Sequence, residues 1–141
     1  MWSQDQLAYM AGIIDGEGSI SIDVQSPNKT RKYHYYSIRM NIINTNLELM
    51  EWLVKNFGGN LYKNRKVEKR KQVYKWSIYS RKAAEILQQT LPYMIVKKPH
   101  AIILIEFMDS MGVTGWHVPE EIRHYRQQLY LKVRELNKHN G

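Results

Sequence analysis

Leu7-Ala8-Tyr9-Met10-Ala11-Gly12-Ile13-Ile14-Asp15-Gly16-Glu17-Gly18-Ser19 is the stretch on which the reading of the whole chain turns. Apolar and small side chains run unbroken from Leu7 to Ile14, and two carboxylates set among glycines end the run. Ser3 can act as N-cap with Gln6 three residues on to complete a capping box, so a helix from Gln4 to about Asp15 is predicted, ended by Gly16 at a positive φ. Ala8, Ala11 and Gly12 leave one face of that helix nearly bare, so another helix can approach closely while Met10, Ile13 and Ile14 pack on the flanks. Asp15 and Glu17 then sit at the helix end beside uncovered glycine carbonyls. Two such oxygen-rich ends brought together would suit a hard divalent cation such as Mg²⁺. Asp-Gly-Glu-Gly taken alone is also an ordinary turn between a helix and a strand.

Downstream, Ile20, Ile22 and Val24 alternate with Ser19, Ser21, Asp23 and Gln25, the pattern of a half-buried strand. Ser26 to Lys29 turns the chain, and Tyr35 to Ile43 alternates again, Ile38, Met40 and Ile42 against Ser37, Arg39 and Asn41. Asn44-Thr45-Asn46 is a cap cluster for a helix carrying Leu47, Met50, Trp52, Leu53 and Phe57, which Gly58-Gly59 stops. A second hairpin joins Asn60–Arg65 to Gln72–Tyr79 through the basic turn Lys66 to Lys71. Ser80 caps a third helix through Leu91, Pro99 opens one to Met111, Gly112 to Val118 is a loop, and Pro119 opens a last helix to about Asn137. The class predicted is α+β: an antiparallel four-stranded sheet with helices on its apolar face, in one domain over residues 1–141.

A net charge of +8 points to an anionic partner, and its distribution is uneven. No Lys or Arg precedes Lys29, whereas Lys55 to Lys82 holds ten basic residues against the one acid Glu68. There are no cysteines, which excludes a disulfide framework, a thiol nucleophile and a cysteine-ligated zinc. No targeting signal or membrane-length apolar run is present, so an intracellular location is expected: cytoplasm, nucleoid or an organelle matrix. The sheet face away from the core would carry Ser19, Ser21, Asp23, Gln25, Ser37, Arg39, Asn41, Lys63, Arg65, Lys75 and Ser77. Donors, acceptors and cations on a ribbon about as wide as a groove are what reading base edges requires. Lys29, Arg31, Lys32 and His34 join the set from the first hairpin. For any one of these residues alone a solvated sheet surface is the better explanation, and it is the concentration of positive charge on the two hairpins that shifts the balance for the set.

Met10 to Gly18, M-A-G-I-I-D-G-E-G, resembles the LAGLIDADG motif of homing endonucleases, with Met10 and Ile13 for leucines, Gly16 for alanine and Glu17 for the second aspartate. The αββαββα element order resembles that family's domain as well. The resemblance implies a DNA endonuclease in which Glu17 is the metal ligand, aided by the Gly16 carbonyl. Lys97 is then the basic residue near the active site, with Lys98 as the alternative, and Asn41 the polar residue that orders the water. It implies Mg²⁺ as cofactor, Mn²⁺ as a substitute and Ca²⁺ as an ion that binds without cleavage. Since only one motif is present, it implies a homodimer with Ala8, Ala11, Gly12 and Asp15 at its interface and a near-palindromic double-stranded DNA site. Two rival readings keep the same fold: an intron maturase that binds RNA, and a DNA-binding regulator that does not cleave.

Overall fold

The computed structural model describes residues 1–112 and 118–140, so most of the loop expected from Gly112 to Val118 lies outside the described residues. The elements are α1 (Gln4–Glu17), β1 (Gly18–Gln25), β2 (Tyr35–Asn44), α2 (Leu47–Phe57), β3 (Asn60–Lys63), β4 (Tyr74–Tyr79) and α3 (Ser80–Thr90), then a 3-10 turn (Leu91–Tyr93), α4 (Lys98–Ser110) and α5 (Glu120–Asn140). This is the expected α+β order with extra C-terminal helices. The strands pair antiparallel in the order β1-β2-β4-β3.

Alternation along the strands sends Ile20, Ile22, Ile38, Met40, Ile42, Trp76 and Ile78 to one face, where all are buried against Met10 and Ile14 of α1, Met50 and Leu53 of α2, Ile86 and Leu87 of α3, Leu104 and Phe107 of α4, and Leu129 and Val133 of α5. The helices begin and end largely where local chemistry requires. Ser3 and Gln6 form the capping box of α1, and the Asn46 side chain accepts from the Leu49 amide at the start of α2. Gly58 and Gly59 both have positive φ after α2, and a Cβ on Gly59 would lie 2.7 Å from Trp76 Nε1. That tight passage allows Trp76 Nε1 to donate to the Gly58 carbonyl at 2.7 Å.

Three predicted helix boundaries are corrected. Gly16 has no positive φ and lies inside α1, which runs on to Glu17 and passes directly into β1 at an extended Gly18. A Cβ on Gly18 would come within 2.8 Å of the Ile14 carbonyl oxygen, so glycine is required there for close approach and not for handedness. Ser80 does not cap α3 with its side chain; it is the first helical residue, at φ 54°, and turns β4 straight into the helix. α5 also extends to Asn140, past the expected end, and Asn137 Nδ2 donates to the Ile20 carbonyl at 3.0 Å, fastening α5 to β1. Among the described residues no helix is long and apolar enough to cross a membrane.

Candidate active site and nucleic-acid interface

The end of α1 gathers the polar groups that the sequence singles out. Glu17 is exposed at the last helical position, and its Oε2 accepts from Asn44 Nδ2 at 2.6 Å. Asn44 is itself fixed, because its Oδ1 accepts from the Asn46 amide at 2.7 Å just ahead of α2. One carboxylate oxygen is thereby oriented and the other is left for a ligand. The sequence places Asn44 in the cap cluster and assigns the ordering of the water to Asn41. Asn41 is buried on the far side of the strand, where its Oδ1 accepts from the fully buried Ser77 hydroxyl at 2.6 Å. The signal available was parity: Asn44 is three residues beyond Asn41 and points to the opposite face, toward α1.

Asp15 is half-buried and takes a different task from Glu17. Its carboxylate accepts from the Ile95 amide at 2.7 Å and the Lys97 amide at 3.0 Å, tying the segment before α4 to the tip of α1. Burial works against ionisation of Asp15, but the amides of Lys97, Ile95 and Val96, with the Lys97 charge, outweigh it and hold the carboxyl below its ordinary range. Lys97 reaches back so that Nζ donates to the Ile14 carbonyl at 3.2 Å and to the Gly18 carbonyl. It thus caps the carbonyl end of α1 from another part of the chain, where a cation is favoured. Burial pushes the Lys97 ammonium below the usual lysine range against the opposing pull of Asp15. Behind it, His100 is buried with neither ring nitrogen hydrogen-bonded, and burial followed by the nearby Lys97 charge lowers its pKa.

Glu17 and the Gly16 carbonyl are hard oxygen donors at an exposed tip, as Mg²⁺ prefers. Among the described residues no group of three or more His, Cys, Asp or Glu side chains converges.

Of the predicted interface residues, Ala8 and Gly12 are exposed, and a Cβ on Gly12 or Gly16 would meet nothing within 4 Å. Ala11 is fully buried inside the chain's own core and leaves the proposed contact face, while Asp15 is engaged by the Ile95–Lys97 backbone. The helix periodicity explains this: positions 8, 12 and 16 share a face, and position 11 joins Leu7 and Ile14 on the inward one.

The outer sheet face carries Ser19, Ser21, Asp23 and Gln25 on β1 with Ser37 and Arg39 on β2. Arg39 Nη2 lies 3.1 Å from Asp23 Oδ1 and 3.4 Å from Ser21 Oγ, which presets the guanidinium on the surface. Lys75 shares this face, its Nζ 5.9 Å from the Tyr62 ring. Lys63 does not: it pairs with Tyr74, whose parity is that of Trp76, so Tyr62 replaces it there. Arg65 falls beyond the end of β3, and Asn41 and Ser77 are bonded to each other below the surface. At the hairpin tip Arg31 Nη1 donates to Gln25 Oε1 at 2.9 Å, Lys29 is exposed, Lys32 lies by Tyr33, and His34 stacks on Tyr36.

The chain thus presents an antiparallel sheet with a polar, cation-bearing outer face and a helix tip that carries an exposed carboxylate beside a half-buried lysine. The family model described as LAGLIDADG endonuclease matches residues 10–111, and the chain belongs to that family. It is accordingly an endonuclease of the LAGLIDADG class. No curated protein sequence matches it. Among solved structures, the homing endonuclease I-CvuI, crystallised with a DNA target in the presence of magnesium, is similar with a TM-score of 0.79 at 18% identity, covering 94% of this chain and 82% of that one. The archaeal intron-encoded endonuclease I-Vdi141I in complex with DNA gives a TM-score of 0.79 at 18% identity over 95% of this chain and 86% of its own. I-SmaMI bound to uncleaved DNA in calcium gives 0.68 at 21% identity, with 92% of this chain matching only 45% of that one.

Proposed function

We propose that two copies of this chain assemble across their α1 helices and, as a homodimer, cut both strands of a long, near-palindromic DNA site in a divalent-metal-dependent reaction. The observation that carries this reading is the lone exposed Glu17 at the tip of a helix whose outer stripe, Ala8, Gly12 and Gly16, is bare. A single carboxylate and one carbonyl leave a six-coordinate ion mostly unliganded, and a second copy would bring a second Glu17 to the same axis. That this chain spans 45% of I-SmaMI supports a working unit of two such domains.

Glu17 and the Gly16 carbonyl would hold Mg²⁺, which when bound supplies an activated water and neutralises charge on the scissile phosphate. The remaining work falls to side chains. Asn44 fixes the rotamer of Glu17. Lys97, positioned through Asp15, offers its ammonium to charge developing on the phosphate. Arg39, Lys75 and the hairpin cations Lys29, Arg31 and Lys32 hold the duplex across the outer face.

The test is incubation with DNA carrying the uninterrupted host locus, with Mg²⁺ and without, beside Glu17→Gln. Double-strand cutting that needs Mg²⁺ and is abolished in Glu17→Gln, with binding retained, is expected, and sedimentation should show two chains per duplex. Cutting by Glu17→Gln at the wild-type rate, or a complex with one chain, would overturn the proposal.

A further inference from the structure

Away from both the helix tip and the outer sheet face, the β1–β2 hairpin meets the start of α5 around a cavity of about 270 Å³. Lys32, Tyr33 and His34 line it from the hairpin, and Glu120, Arg123 and His124 from α5. The Arg123 guanidinium lies 3.8 Å over the Tyr33 ring, with Lys32 Nζ 5.5 Å from the same ring. Arg123 Nη1 donates to the Val118 carbonyl at 2.5 Å, which fixes one edge of the fork. The two elements are locked together around the cavity, since Tyr36 of β2 packs on Tyr130 of α5 at 5.5 Å and Asn137 fastens the far end of α5 to β1. Two cationic side chains from different elements thus share the lining of one cavity with the carboxylate of Glu120, and the same hairpin also carries Lys29 and Arg31. Lys32 already belongs to the hairpin cations placed on the duplex, whereas Arg123 and Glu120 of α5 have no part in the helix tip or the sheet face.

We infer that this corner holds a backbone phosphate of the duplex outside the length covered by the sheet, so that α5 extends the DNA-binding surface; the inference rests on the endonuclease reading above. The geometry gives the distance. Glu17 adjoins the start of β1 and the hairpin tip lies at its other end, eight residues on. At roughly 3.3 Å per strand residue this is about 25 Å, or about seven base pairs at 3.4 Å each. The phosphate gripped by Lys32 and Arg123 is therefore seven or more base pairs from the centre of the cut site. Glu120 opposes the anion, which makes the sign of its removal diagnostic. A guanidinium stacked on Tyr33 merely to brace the hairpin would be indifferent to that carboxylate.

The experiment uses the full chain on the host-locus duplex with Mg²⁺ omitted, and compares wild type with Arg123→Ala, Glu120→Gln and, as a sheet-face control, Lys75→Ala. Binding is followed against salt and by hydroxyl-radical footprinting, with thermal melts to confirm folding. Arg123→Ala should weaken binding, lower the log–log salt slope by about 0.9 per copy, and lose backbone protection only beyond about seven base pairs from the centre. Glu120→Gln should tighten binding. An Arg123→Ala protein that keeps the wild-type slope and outer protection, or a Glu120→Gln protein of unchanged affinity, would overturn the inference and leave Arg123 a brace. Failure of the wild type to bind the duplex at all, or indifference to Lys75→Ala, would instead overturn the reading on which it rests.

Discussion

Asp15→Asn isolates the device that joins the helix tip to its lysine. The native carboxylate accepts two backbone amides, at 2.7 and 3.0 Å, from a segment eighty residues away in sequence. Asparagine keeps the shape but turns one acceptor into an N–H donor facing another N–H, and it removes the charge that strengthens the second bond. Bonds to charged groups contribute about 1.5–3 kcal/mol each, and partial exposure of Asp15 discounts that, so a net loss of about 1–2 kcal/mol is expected. For a chain of this size that is about 3–7 °C in Tm. The pH dependence gives the sharper check. The folded carboxyl titrates below its ordinary value of 3.8, so its stabilisation is complete above that value and disappears as pH falls through the folded pKa. Melts followed by circular dichroism should show the full gap between wild type and Asp15→Asn at neutral pH, closing on acidification below about 3.8. Cleavage should fall as well, since the Lys97 backbone is no longer held. A variant that melts with the wild type at neutral pH, or a gap that persists unchanged in acid, would refute the reasoning.

Gly18→Ala places a Cβ 2.8 Å from the Ile14 carbonyl oxygen and should lower stability by about 1–3 kcal/mol in denaturant titration. Gly12→Leu fills space that is open in one copy, so it should leave thermal stability at low concentration near wild type while sedimentation shows loss of the dimer and activity assays show loss of cutting. His100→Leu removes a buried imidazole whose folded pKa is lowered below the ordinary 6.5. Because the unfolded state then binds the extra proton, the wild type should lose stability as pH falls below about 6.5, and urea titrations of His100→Leu should show a flatter profile between pH 6.5 and 5. Equal pH profiles for the two proteins would show that His100 titrates alike folded and unfolded.

Local patterns carried most of the fold. Period-two alternation named the inward residues of β1, β2 and β4, and Ser3-Gln6 and Asn46 marked two helix starts because capping is settled within three residues of chain. β3 was less legible, being four residues long, so the face of Lys63 depended on its register with Tyr74. The site divided in the same way. Glu17 and Lys97 were readable as types at their positions, but their surroundings were not. Asn44 reaches Glu17 across the junction between β2 and α2, and Asp15 reaches Ile95 and Lys97 across the whole sheet domain.

By itself, then, the sequence determined the element order, the polar and apolar faces of the sheet and the carboxylate at the end of a small-residue helix, since each follows from side-chain periodicity and short-range hydrogen bonding. Only the tertiary structure decided that Gly16 continues the helix, that Ala11 belongs to the core, and that α5 closes on the first hairpin beside Arg123. The physical reason is common to all three. A helix end, a buried methyl and a cation over a ring are fixed by partners distant in the chain: the Lys97 ammonium on the α1 carbonyls, the packed core around Ala11 and Tyr33 beneath Arg123.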